Sequence, residues 1–171
     1  YQWVSRIYLK EQLILPGLIN NQVSSSILTV NGNNSHLEKN YMMEYSKTNV
    51  KYMIAEMLKN GITTFSDVGL SPDISIEQVR QTNIRANIGL PIFKHKSFWA
   101  DEEKEYLYKS LAIYDEYKSD PNIRLFFHLD SINKLSKNII LKISEIANEL
   151  DIPVRMSLNT SQKEIDKCKS K

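Results

Sequence analysis

Short apolar runs alternate with longer stretches of helical periodicity along most of the chain. Leu13, Ile14 and Leu15 run through Pro16-Gly17 into Leu18-Ile19, which predicts a short buried strand with a turn inside it. Residues 22–46 are polar and poorly patterned, and Asn31-Gly32-Asn33-Asn34 is a turn signal. Thr48, a candidate N-cap, opens a predicted helix over 48–59, where Val50, Met53, Ile54, Met57 and Leu58 form one apolar stripe. Asn60-Gly61 ends that helix, since glycine tolerates the left-handed backbone of a helix terminus.

The rhythm then repeats. Strands are predicted over 62–68, 84–90, 123–129 and 154–158, the first of them with β-branched and aromatic residues. Helices are predicted over 73–82, 101–118 and 135–150, and a last one over 161–168. The helix over 101–118 starts on Asp101, Glu102 and Glu103, where the helix dipole favours anions. A loop over 92–100 holds Phe93, Phe98 and Trp99. Five strand–helix alternations imply an α/β fold with a parallel sheet and crossover helices. The near-continuous apolar strands agree, because parallel strands are buried on both faces. No glycine-rich phosphate loop follows any strand, so nucleotide-binding α/β folds lose ground to a barrel or part of one.

Composition narrows the classes further. The 171 residues suit one domain, with 42% hydrophobic and 25% charged residues, a globular balance. The net charge of +2 is too even to argue for a nucleic-acid partner. No apolar stretch approaches the roughly 20 residues of a membrane span. The single cysteine, Cys168, excludes an internal disulfide and fits a reducing compartment, so a cytoplasmic location is expected.

Several blocks carry a resemblance. Leu15-Pro16-Gly17-Leu18-Ile19-Asn20, the segment from Ala55 through Lys59-Asn60-Gly61-Ile62-Thr63-Thr64-Phe65, and Ile84-Arg85-Ala86-Asn87 resemble the amidohydrolase superfamily. The likeness continues through Trp99-Ala100-Asp101, Tyr114-Asp115-Glu116-Tyr117, Asp120-Pro121 and Ile123-Arg124, and ends in the segment from Ala147 to Val154. The nearest subgroup is that of the S-adenosylhomocysteine and methylthioadenosine deaminases, with the related triazine chlorohydrolases. The resemblance implies a partial (β/α)₈ TIM-like barrel of the metal-dependent hydrolase type, with about five βα units in one domain over 1–171. Residues 1–12 would be the remnant of an upstream β segment.

Such barrels place their chemistry at the C-terminal ends of the strands and use zinc or another divalent metal to make hydroxide from water. The resemblance puts Gln22 and Ser24 where the family carries a His-x-His ligand pair, and Ser157 where it carries a third histidine. Thr160 takes the place of the catalytic glutamate. Asp130 takes that of a substrate-binding histidine, which a two-residue shift would move to His128. Amide and hydroxyl groups are poor substitutes for imidazole at a zinc-like site. No catalytic residue, metal ligand or cofactor is therefore expected. Gln22, Ser24, Asp67, His128, Asp130, Ser157 and Thr160 are candidates to line a pocket at the strand ends.

Plainer readings stand beside these. His36, His95 and His128 form no ligand pair by spacing and read as two loop histidines and one at a strand end. Asp67 reads as a strand-terminal residue capping the next loop, and His128 and Asp130 as a simple hydrogen-bonded pair. Phe98 and Trp99 either wall a purine site or fill space under their loop. Two function classes follow: a degenerate amidohydrolase without turnover, or a non-catalytic module keeping a pocket for a nucleoside-like ligand or a partner chain. An active form would be a hydrolase or deaminase acting on carbon–nitrogen bonds. A part-barrel has open strand edges, so a homo-oligomer, or a second chain completing the barrel, is expected.

Overall fold

A computed structural model describes residues 10–25, 39–131, 134–158, 162 and 165–166. Five parallel strands pair in chain order: β1 (Leu18–Val23), β2 (Ile62–Asp67), β3 (Arg85–Ile92), β4 (Ile123–Leu129) and β5 (Val154–Met156). The intervening helices are α1 (Lys39–Lys59), α2 (Pro72–Thr82), α3 (Glu103–Tyr117) and α4 (Lys137–Leu150). Parallel neighbours joined by crossover helices have one handedness, so successive crossovers stack on one side of the sheet. The result is a curled half-barrel, helices outside and a concave face within.

Register divides the strands into two faces. Phe65 pairs with Ala86, and Asp67 with Ile88; Ile88 pairs with Leu125, and Leu90 with Phe127. This set faces the helices, and its apolar members are buried with Val50, Ile54, Val79, Tyr106 and Ile143 from α1–α4. The alternate set, Ser66 with Asn87, Gly89 with Phe126, and Pro91 with His128 and Arg155, lines the concave face.

Local chemistry sets the element ends. Gly61 has φ +76 after α1, and Asn83 and Asp151 take left-handed backbone after α2 and α4. Pro72 opens α2, where its missing N–H costs nothing. Ser136 caps α4 through the Ile139 N–H, and its own N–H and hydroxyl are both taken by Glu103 of α3.

Four expectations need correction. The helix expected over 48–59 begins nine residues earlier, at Lys39, so Thr48 is interior and not a cap. Its buried stripe runs Met42, Ser46, Val50, Ile54; the serine interrupted the apolar signal. The segment Leu13–Leu15 is not a buried strand. Its three side chains are 82, 74 and 67% exposed, and β1 starts after Pro16-Gly17 at the sheet edge. Strand β3 passes through Pro91 to Ile92. β2 no longer pairs beyond Ile88, and the Pro91 carbonyl accepts from Ser110, so the missing N–H disturbs no ladder bond. Finally, β5 ends at Met156, two residues short of the expected Leu158. The predicted turn over 31–34, His36, Thr160 and Cys168 lie outside the described residues, as do most of the expected remnant over 1–12 and of the helix over 161–168.

Candidate functional site

The strand ends place the candidate residues in three groups, with Asp67 apart from them on the other side of the sheet. Val23 pairs with Asp67 on the helix-facing side, so alternation turns Gln22 and Ser24 toward the concave side. Gln22 is exposed and Ser24 half-buried. Ser157 follows β5 at the opposite edge, exposed, on the side of Arg155 by the same alternation. First and fifth strands of an eight-stranded barrel face each other across its axis, so these two groups flank the mouth of the half-barrel.

Asp67 belongs to another environment. It is 1% exposed and points away from the concave face. Oδ1 accepts from the N–H groups of Ser25 at 3.0 Å and Gly69 at 2.9 Å. Oδ2 accepts from the hydroxyls of Ser25 and Ser75, each at 2.5 Å. Four donors fill the carboxylate and tie the end of β1 to the β2–α2 turn. The Gly69 contact is the loop cap that the plainer reading anticipates. As a member of a strand-end pocket, Asp67 is on the wrong side of the sheet.

His128 and Asp130 form the third group without bonding to each other. Asp130 Oδ1 accepts from the Ser131 N–H at 2.8 Å and from Lys134 Nζ at 3.0 Å, while Oδ2 lies 3.8 Å from His95 Nδ1. His128 packs edge-on to Phe93 and Phe126, and its Nδ1 is buried without a hydrogen-bond partner. Burial, and then the nearby Arg155 charge, push its pKa below the usual histidine value, against a smaller opposing pull from Asp130. The imidazole is therefore neutral near pH 7. The hydrogen-bonded pair expected from sequence is replaced by a His95–Asp130–Lys134 cluster beside an isolated ring, because the chain turns after Leu129 and carries Asp130 toward the loop of His95.

Trp99 resolves its two readings. Its indole N–H donates to Asp73 of α2 at 3.0 Å, and Lys109 of α3 lies over the ring. With Phe98, Met43, Ile74 and Tyr108 it lines a groove of about 340 Å³ between α1, α2 and α3. It fills space under the loop, on the helix side.

Sequence reasoning missed Arg155. This residue sits in β5, in register with His128, and reaches back across the concave face. Its Nη1 donates to Ser66 Oγ of β2 at 3.0 Å, 89 residues away in sequence, and its guanidinium lies 4.4 Å from the centre of the Phe126 ring. The Phe126 ring in turn lies over Gly89, where an added Cβ would come within 3.0 Å of Phe126 Cζ and His128 Cβ. Backbone, ring and guanidinium thus stack in three layers. The available signal was a charged residue inside the otherwise apolar strand Val154-Arg155-Met156.

These donors do not fit a divalent cation. The positions that the resemblance assigns to imidazole ligands carry Gln22, Ser24 and Ser157, and an arginine shares their face. Among the described residues no three His, Cys, Asp or Glu side chains gather as a metal group. Nor is any described helix long and apolar enough to cross a membrane.

No family model matches the chain. Individual relatives do. Over 96% of its length the chain is 24% identical to a 5-methylthioadenosine/S-adenosylhomocysteine deaminase of Saccharophagus degradans, and it spans 40% of that relative. A deaminase of the same name from Caldicellulosiruptor saccharolyticus is 31% identical over 69% of the chain and 26% of its own length. Among solved structures, a zinc-bound adenosine deaminase of Xanthomonas campestris superposes with a TM-score of 0.78 at 20% identity, over 91% of this chain and 39% of that one. The five-unit half-barrel and the named relatives agree with the order of the sequence blocks: the chain belongs to the amidohydrolase superfamily.

Proposed function

We propose that this chain is a degenerate amidohydrolase half-barrel that does not carry out metal-dependent hydrolysis or deamination by itself. The observation that carries the reading is the donor set of the concave face. Neutral Gln22, Ser24 and Ser157 stand where the resemblance puts the family's ligands, and the Arg155 guanidinium shares the concave face. A fixed positive charge there repels a second cation, and amide or hydroxyl oxygens do not offset that repulsion. Without a metal to acidify it, water at this face stays a very weak acid and is no nucleophile at neutral pH. Thr160, at the place of the catalytic glutamate, brings no proton acceptor effective near neutral pH.

The names of the relatives choose the assay. The chain, incubated with zinc, is supplied with methylthioadenosine and S-adenosylhomocysteine, and ammonia release is followed. The expected rate equals that of buffer. Turnover that co-purifies with the chain and disappears on chelation sinks the reading.

A partner or a second copy of the chain belongs to the same proposal. Leu13, Ile14, Leu15, Leu18 and Ile19 expose 56–82% of their surface along the open β1 edge. An apolar strand edge of this kind favours association. A monodisperse monomer in light scattering at micromolar concentration contradicts this part of the proposal.

A further inference from the structure

The concave face carries arginines and no carboxylate. Arg85, Arg124 and Arg155 alternate with polar or aromatic residues along β3, β4 and β5, and no Asp or Glu occupies the concave side of any described strand. Arg85 and Arg124 sit at the starts of their strands, both exposed, with Arg85 Nε donating to Thr64 Oγ1 at 3.1 Å. Arg155 differs. It is half-buried, braced on the Phe126 ring, and fixed at Nη1 by Ser66. Those two contacts hold the plane of the guanidinium.

We infer that Arg155 is the anchor of a binding site for a small carboxylate on the concave face. A guanidinium has five N–H donors in a rigid plane, and one is engaged by Ser66. The Nε and Nη2 edge has the spacing that takes both oxygens of a carboxylate in parallel hydrogen bonds. Charge chooses the class. His128 is held neutral, Asp130 beyond β4 is paired with Lys134, and Arg85 and Arg124 lie at the strand starts, so the charge beside the site is that of one arginine, which a monoanion balances and a phosphate dianion overshoots. The ring of Phe126 removes water from one side of the guanidinium, which strengthens its hydrogen bonds to an anion. Preorganisation by Ser66 and Phe126 lowers the ordering entropy that a free arginine side chain would lose on binding. The inference rests on the reading above in one respect only, that no metal shares the face.

The test is a titration of the full chain with sodium acetate at constant ionic strength, with chloride as the balancing ion. The Arg155 Nε–H and the His128 ring are followed by NMR. A saturable shift of both signals, half-complete near about 1 mM, is expected, with inorganic phosphate no tighter than acetate. Arg155→Gln is expected to weaken acetate at least ~10-fold, whereas Arg124→Gln leaves it unchanged. If Arg155→Gln does not fold, Arg155→Lys keeps the charge and loses the planar edge, and is expected to weaken acetate by a similar factor. A linear, non-saturating response overturns the inference. So does affinity unaffected by Arg155→Lys, or a tenfold preference for phosphate. Zinc added in a separate arm distinguishes the two readings: retained zinc contradicts the proposed function, whereas absent zinc with absent acetate binding contradicts only the carboxylate site.

Discussion

The two faces of the same five strands follow different rules. On the helix side, Phe65, Ile88, Leu90, Ile123, Phe127 and Leu129 are all nearly inaccessible and make one continuous core with the helices. On the concave side, a residue or two away, stand Ser66, Asn87, Gly89, Phe126, His128 and Arg155. The first face is specified by hydrophobic packing and tolerates no change of volume. The second is a polar surface, ordered by Arg155 lying across Phe126 to Ser66. Under the proposed function, the amidohydrolase fold survives on one face while the chemistry of the other is lost, since the helices and their core need nothing from the barrel interior.

The sharpest way to break the comparison is on the packed face. Phe127→Ala removes a fully buried ring between β4 and the helices, and is expected to cost roughly 3–5 kcal/mol in urea unfolding. A loss under 1 kcal/mol would mean that the helix-side core does not set the stability. A smaller loss is expected where polar atoms are buried on that side. Asp67→Ala leaves the Ser25 and Ser75 hydroxyls and the Gly69 N–H without their acceptor, at a cost of about 3 kcal/mol. Little or no loss would make the network dispensable.

The smallest effect belongs to the concave face and depends on pH. Burial and Arg155 depress the pKa of His128 in the folded state, so the unfolded chain binds this proton first. Stability from this group is thus complete above the unfolded value near 6.5 and falls as the pH drops through and below it. His128→Asn is expected to flatten that part of the stability profile, read from denaturation midpoints between pH 7.5 and 5. An unchanged profile would show that the ring titrates as it does in the unfolded chain.

How far the sequence foretold these faces differs along the chain. Elements between Ile62 and Val154 were legible because apolar runs there are bounded by strong punctuation: Asn60-Gly61, Pro72, Asp120-Pro121, and Asp151 before Pro153. The start of α1 was not, because Ser46 occupies a buried position in its stripe. Leu13–Leu15 misled for the opposite reason. Their apolar run suggests burial, yet they precede an edge strand that nothing described here covers. Among site residues, alternation puts Gln22 and Ser24 on one side of β1 from sequence alone, because period two is a local property. For Asp67 it leaves the side open, since only register with Ile88 reveals which side of β2 meets the helices. The charge of Arg155 inside an apolar strand was legible but its role was not, because its partners, Ser66 and Phe126, lie on strands 89 and 29 residues away.

The most direct test of the central claim, that this face has lost the metal on which its family's chemistry rests, is elemental analysis of the purified chain after incubation with zinc and desalting. The account predicts no stoichiometric metal, since Gln22, Ser24 and Ser157 supply no imidazole or carboxylate and Arg155 supplies a positive charge. About one tightly held ion per chain would contradict it.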